Sequence, residues 1–116
     1  MPLDKALLNE FVALAPTVGL RAVNDRTGVY VMDAANDRYW IYPELPEHNS
    51  APACYLMRRA AWEAGYEIRV EGLGCCAYSK RDAPGVFEGG ADEYSETENH
   101  VICLIACAQH KQENPS

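Results

Sequence analysis

Leu3, Leu7, Leu8, Phe11, Val12 and Leu14 recur at three- and four-residue steps, which predicts an opening helix with one core face, ended by Pro16 and Gly19. Three short β-type runs follow, Leu20 to Val23, Val29 to Asp33 and Arg38 to Tyr42, separated by the turn clusters Asn24 to Gly28 and Ala34 to Asp37. Pro43 and Pro46 stop that pattern. Ser50, an N-cap type, and Pro52 in the first turn predict a second helix from about 51 to 64, closed by Gly65. Tyr66, Ile68 and Val70 then alternate with Glu67, Arg69 and Glu71, the period of a strand with one buried and one wet face. Gly72-Leu73-Gly74 turns it into a second strand, Cys75 to Lys80. Residues 81 to 94 read as a loop with Pro84, Gly85, Gly89 and Gly90. Ser95 and Glu98, three apart ahead of an apolar run, form a capping box for a third helix over about 96 to 111, with a frayed tail from 112 to 116. The expected fold is a single α+β domain over residues 1 to 116: one antiparallel sheet of four to five strands with three helices packed on its faces.

Composition narrows the function. The 116 residues are 48% hydrophobic and 23% charged, enough to build one core. Seventeen acids against ten bases give a net charge of −7, which argues against direct nucleic-acid binding through phosphate neutralisation. The charge is lopsided: residues 1 to 60 hold six bases and seven acids, and residues 61 to 116 hold four bases and ten acids. Asp82, Glu88, Asp92, Glu93, Glu96 and Glu98 occur without an intervening Lys or Arg. The start lacks a basic leader with a long apolar run, and the longest apolar segment, Val101 to Ala108, is too short to span a bilayer. A cytoplasmic location, away from membranes and with reduced thiols, is the expectation for the five cysteines.

The stretches Ala60-Ala61-Trp62-Glu63-Ala64-Gly65-Tyr66-Glu67-Ile68-Arg69-Val70 and Val101-Ile102-Cys103-Leu104-Ile105-Ala106-Cys107-Ala108 resemble the phage ABA sandwich domain, a family of small bacteriophage-encoded proteins. The likeness covers about residues 50 to 110. It implies a phage origin and a fold rather than a reaction, because the family brings no catalytic residues to carry over.

The cysteines offer the first candidate chemistry. His100, Cys103, Cys107 and His110 share a stripe of the third helix. His100 and His110 lie about 15 Å apart along it, too far for one ion, so a zinc site would need Cys54, Cys75 or Cys76 as well. The alternative is that Cys103 and Cys107 pack as small hydrophobes. For Cys75-Cys76, no histidine stands nearby in sequence to lower a thiol pKa, and only folding could bring one. The glycines of residues 85 to 90 lack the strand-to-helix context of a phosphate loop. Asp92 and Glu93 lie side by side in a loop rather than at a fixed catalytic separation. No catalytic residue, metal or cofactor is therefore expected.

Surface contacts are the stronger candidates. Tyr55, Arg59, Trp62 and Tyr66 follow at steps of four, three and four, setting an arginine between aromatic rings. They form either a contact face or packing at a sheet edge. Trp40 and Tyr42 are expected on one strand face and Tyr39 and Ile41 on the other; the face left uncovered would suit an interface, including a homodimer. Glu88, Asp92 and Glu93 could imitate a phosphate backbone against a basic groove, the alternative being a solvated loop. Together these point to a non-enzymatic phage accessory protein that binds and inhibits a host defence protein or complex, as an anti-CRISPR does. The runner-up is an oligomeric sponge for a cyclic nucleotide signal, with Tyr55, Arg59 and Trp62 on the ligand.

Overall fold

The computed structural model describes residues 3–45, 47 and 49–115. Asp4 caps the first helix, α1 (Lys5–Leu14), by accepting from the Leu7 N–H at 2.8 Å. α1 buries Leu8, Phe11 and Leu14, each worth about 1.5–3 kcal/mol once removed from water. The chain continues as a 3-10 turn, Ala15–Val18, and leaves it through Gly19, whose φ of +73° is the left-handed exit that glycine accommodates.

Three strands follow: β1 (Arg21–Asp25), β2 (Gly28–Met32) and β3 (Arg38–Tyr42), antiparallel in the order β1-β2-β3. Each turn is held by an aspartate. Asp25 accepts from the Thr27 N–H at 2.8 Å and the Tyr30 hydroxyl at 3.0 Å. Asp33 accepts from the N–H groups of Ala35 and Asp37 and from the Tyr39 hydroxyl. These are side-chain turns of the kind that Asp favours.

Helix α2 (Ala51–Glu63) opens at Ser50, but not as expected. The Ser50 side chain makes no capping bond; its hydroxyl oxygen instead accepts from Thr97 Oγ1 at 2.8 Å, while Asn49 Oδ1 takes the Ala51 N–H at 3.1 Å. β4 (Tyr66–Glu71) and β5 (Cys75–Lys80) pair residue for residue, as the Gly72-Leu73-Gly74 turn predicts; of the expected buried face, Tyr66 and Ile68 are buried but Val70, near the strand's end, is exposed. The expected loop beyond them contains a further strand, β6 (Glu88–Ala91), which pairs with β5 and completes a second sheet in the order β4-β5-β6. Low hydrophobicity hid β6, since Glu-Gly-Gly-Ala has no apolar alternation. The glycines are there for space: a Cβ on Gly89 would overlap the Tyr78 ring, and one on Gly90 would lie 2.8 Å from the Cys76 carbonyl oxygen.

The last helix, α3 (Glu96–Glu113), starts with the predicted capping box and runs into the segment expected to fray. Its buried residues, from Thr97 to Ala108, occur all round the helix, the mark of a central helix rather than a surface one. One side lies on β4, β5 and β6, and the other on α1, the 3-10 turn and α2. α1 touches β1, and α2 touches β2 and β3. The α+β class holds, but the expected single sheet of four to five strands is instead six strands in two three-stranded sheets, with the helices between them. Alternation along β4 shows which of its faces is wet; it does not say whether β3 and β4 join, and α2 separates them. Among the described residues no helix is long and apolar enough to cross a membrane.

Candidate functional site

The six acids from Asp82 to Glu98 divide by environment. Glu98 is buried: Oε2 accepts from the Leu3 N–H at 2.6 Å, and Oε1 accepts from the Ser95 hydroxyl at 2.9 Å and the Ser95 N–H at 3.4 Å. Glu96 sits in the first turn of α3, where negative charge suits the helix dipole. Asp82 lies 3.8 Å from Arg81. The remaining three, Glu88, Asp92 and Glu93, are exposed and form no ion pair among the described residues.

Asp92 and Glu93 stay in the expected loop, a short link between β6 and α3, whereas Glu88 leaves it for a strand. Glu88 opens β6, in register with Ser79, and β6 is the outer strand of its sheet. Asp92 and Glu93 follow directly and are anchored on the far side by Tyr94 and Ser95, whose backbone N–H groups are taken by Asn99 Oδ1 and Glu98 Oε1. An open hollow of about 180 Å³ lies between this turn and α3, lined by Gly90 to Tyr94 and Ile102. The result is a negative edge carried by the outer strand β6 and the short link that follows it.

On α2, Tyr55 and Trp62 are 54% and 49% exposed, with Arg58, Arg59, Glu63, Glu67 and Ile68 around an open groove of about 360 Å³. Arg59 is not free between the rings: its Nε donates to Glu63 Oε1 at 3.0 Å, and that bond raises its pKa. Arg81, missed in the sequence because it lies on another element, stacks over Trp62 at 5.0 Å and donates to the Trp62 carbonyl oxygen at 2.6 Å. Tyr66 does not join this face. The helix ends before Gly65, whose φ of +99° turns the chain into β4, so Tyr66 follows strand rather than helix geometry and is buried. Its hydroxyl lies 2.6 Å from His110 Nδ1, and its ring meets Phe87 edge-on.

Trp40 and Tyr42 do not share a face either. The register of β2 and β3 shifts between Val29 and Tyr30, so Tyr30 pairs with Trp40 but Val29 pairs with Tyr42. This bulge re-aims Tyr42. Trp40 stays outside, its ring 4.8 Å from Tyr30, whereas Tyr42 lines an open groove of about 510 Å³ with Leu3, Lys5 and the β1-β2 turn. Tyr39 and Ile41 do share a face, and it is the core one.

The cysteines behave as core residues. All five are free thiols, and all but Cys75 are buried. Burial pushes the Cys76 thiol up to about 11 and those of Cys103 and Cys107 up to about 12, the reverse of what a nucleophile needs. Folding does bring a histidine to Cys76: His100 Nδ1 lies 3.4 Å from its sulfur. That ring is committed elsewhere, since Nδ1 donates to the Glu96 carbonyl oxygen at 2.7 Å and Nε2 accepts from Arg58 Nη1 at 2.9 Å. Burial also lowers the His100 pKa. The proposed stripe is thus split: His100 faces Arg58 and His110 faces Tyr66. No group of three or more metal-ligating side chains comes together among the described residues. Compared with family models, with curated proteins and with solved structures, the chain matches none of them.

Proposed function

We propose that this chain works by binding, without chemistry of its own, and that the negative edge formed by Glu88, Asp92 and Glu93 docks into a basic groove of a partner protein or complex. The observation that carries this is that these three acids are exposed and form no ion pair among the described residues. Charges of one sign on a rigid surface speed encounter with an oppositely charged groove and select against other partners. The resemblance of residues 50 to 110 to phage ABA sandwich domain proteins implies a phage origin, and the partner class proposed on that basis is an antiviral defence component in the cytoplasm of an infected bacterium, inhibited as an anti-CRISPR would inhibit it. The test is infection efficiency in a bacterium carrying an active defence system, with the wild-type chain and with Glu88→Lys/Asp92→Lys/Glu93→Lys. Protection of the phage by the wild type, lost in the reversed variant, supports the proposal; equal protection by both discards the acidic edge.

A second function, sequestering a cyclic nucleotide in the α2 groove, is favoured by the exposure of Tyr55 and Trp62 beside Arg58 and Arg59. The Arg59–Glu63 pair counts against it, since a phosphate would have to displace a carboxylate. Thermal shift separates the two, because a nucleotide at a hundred times its Kd stabilises by about 2.7 kcal/mol. No shift across a cyclic nucleotide panel removes this alternative.

A further inference from the structure

We propose that the outer face of the first sheet is the contact between two copies of this chain, related by a two-fold axis. Alternation along β1, β2 and β3 puts Arg21, Val23 and Asp25, then Tyr30 and Met32, then Arg38 and Trp40 on that face. The opposite face carries Val29, Val31 and Ile41 into the core. Across the strands the outer residues form rows: Arg21, Met32 and Arg38 in one, and Val23, Tyr30 and Trp40 in the next, with Asp25 at the far end of β1. Tyr30 is only 4% exposed and stands outside the core cluster; Trp40 meets it edge-on and Arg38 lies over its ring at 4.9 Å.

Charge selects the occupant. A net charge of −7 opposes the approach of two copies over most of the surface. Residues 21 to 38 are the exception, with Arg21, Arg26 and Arg38 balanced by Asp25, Asp33 and Asp37. None of those three arginines is paired with a carboxylate side chain among the described residues. A two-fold axis lying between two such faces, perpendicular to β2 and crossing it at Tyr30, reverses the order of the rows. Arg21 of one copy then stands opposite Asp25 of the other, twice, and Val23, Tyr30 and Trp40 meet their own counterparts. This is the self-complementarity that a closed dimer requires, with an aromatic centre and charged ends. Asp25 is suited to the pairing, because its bonds from Thr27 hold its carboxyl below the usual range.

The face is distinct from the acidic edge on the second sheet, so either can fail alone. Sedimentation velocity of the full chain across about 1 to 100 µM decides it. The expected species has twice the 12.9 kDa chain mass. Arg21→Asp and Trp40→Ala should each weaken the dimer at least about tenfold, and adding Asp25→Arg to Arg21→Asp should restore it. Because Asp25 also holds its own turn, the folding of that double variant is checked by circular dichroism, and if it does not fold the two single variants decide. A monomer at every concentration overturns the proposal, as does a dimer unchanged in both single variants.

Discussion

Truncating Glu98 should expose how differently the acids of the second half are used. Glu98→Ala removes the acceptor of the buried Leu3 N–H, which now donates to Oε2 at 2.6 Å, and half of the capping box at Ser95. A buried donor left unmatched costs about 1–3 kcal/mol, and loss of a cap about 1 kcal/mol, so the expected destabilisation is about 2–4 kcal/mol. At a urea m-value of about 2 kcal/mol/M for a small domain, the unfolding midpoint should fall by about 1–2 M. Glu98→Gln keeps one oxygen of the two and should fall between wild type and Ala. Glu88→Ala carries the same change in net charge and should stay within about 0.5 kcal/mol of wild type, because Glu88 is exposed and forms no ion pair among the described residues. Urea denaturation followed by circular dichroism measures all four proteins. A Glu98→Ala midpoint within about 0.3 M of wild type, or an equal loss in Glu88→Ala, would refute the division of the acids into structural and surface groups.

Three further outcomes follow from the same contacts. The folded pKa of His100 lies below its unfolded value of about 6.5, so its contribution is complete above that value and is lost as the pH falls through the folded one; His100→Gln should flatten the stability profile in that window. Ellman's reagent should find one fast thiol, the partly exposed Cys75, with the other four reacting only as the protein unfolds; two or more fast thiols in the native state would contradict the packed cysteine core. Gly89→Val forces a branched side chain into the Tyr78 ring and should cost about 1–3 kcal/mol, read from the thermal midpoint, while Gly85→Val, with nothing within 4 Å of its Cβ, should cost less.

Much of the fold is legible in local pattern. The alternation from Tyr66 to Glu71 and the Ser95/Glu98 box predict β4 and the start of α3 where the structure has them. What the pattern cannot carry is pairing between distant segments and identity without hydrophobicity. β6 is a strand because β5 offers it an edge and Tyr78 needs room over Gly89, facts recorded nowhere near residues 88 to 91. Trp40 and Tyr42 separate because of a one-residue bulge against β2, and Tyr66 leaves the Trp62 face because Gly65 ends the helix first. The same limit applies to the candidate surface. Sequence locates the run of acids, but only the fold separates Glu98 inside the capping box from Glu88, Asp92 and Glu93, which form no ion pair among the described residues. Likewise the arginine on Trp62 is Arg81, nineteen residues away, rather than Arg59 on the same helix.

The most direct test of the binding edge is quantitative capture from a bacterial lysate that contains a defence complex. The immobilised wild-type chain and its Glu88→Lys/Asp92→Lys/Glu93→Lys variant are compared at two salt concentrations after both are shown to unfold at the same urea midpoint. Steering by exposed charge weakens as salt screens it. The expected result is a partner retained by the wild type at low salt, reduced at high salt and lost with the variant. The same partner held equally by both proteins, at both salt concentrations, would contradict the account.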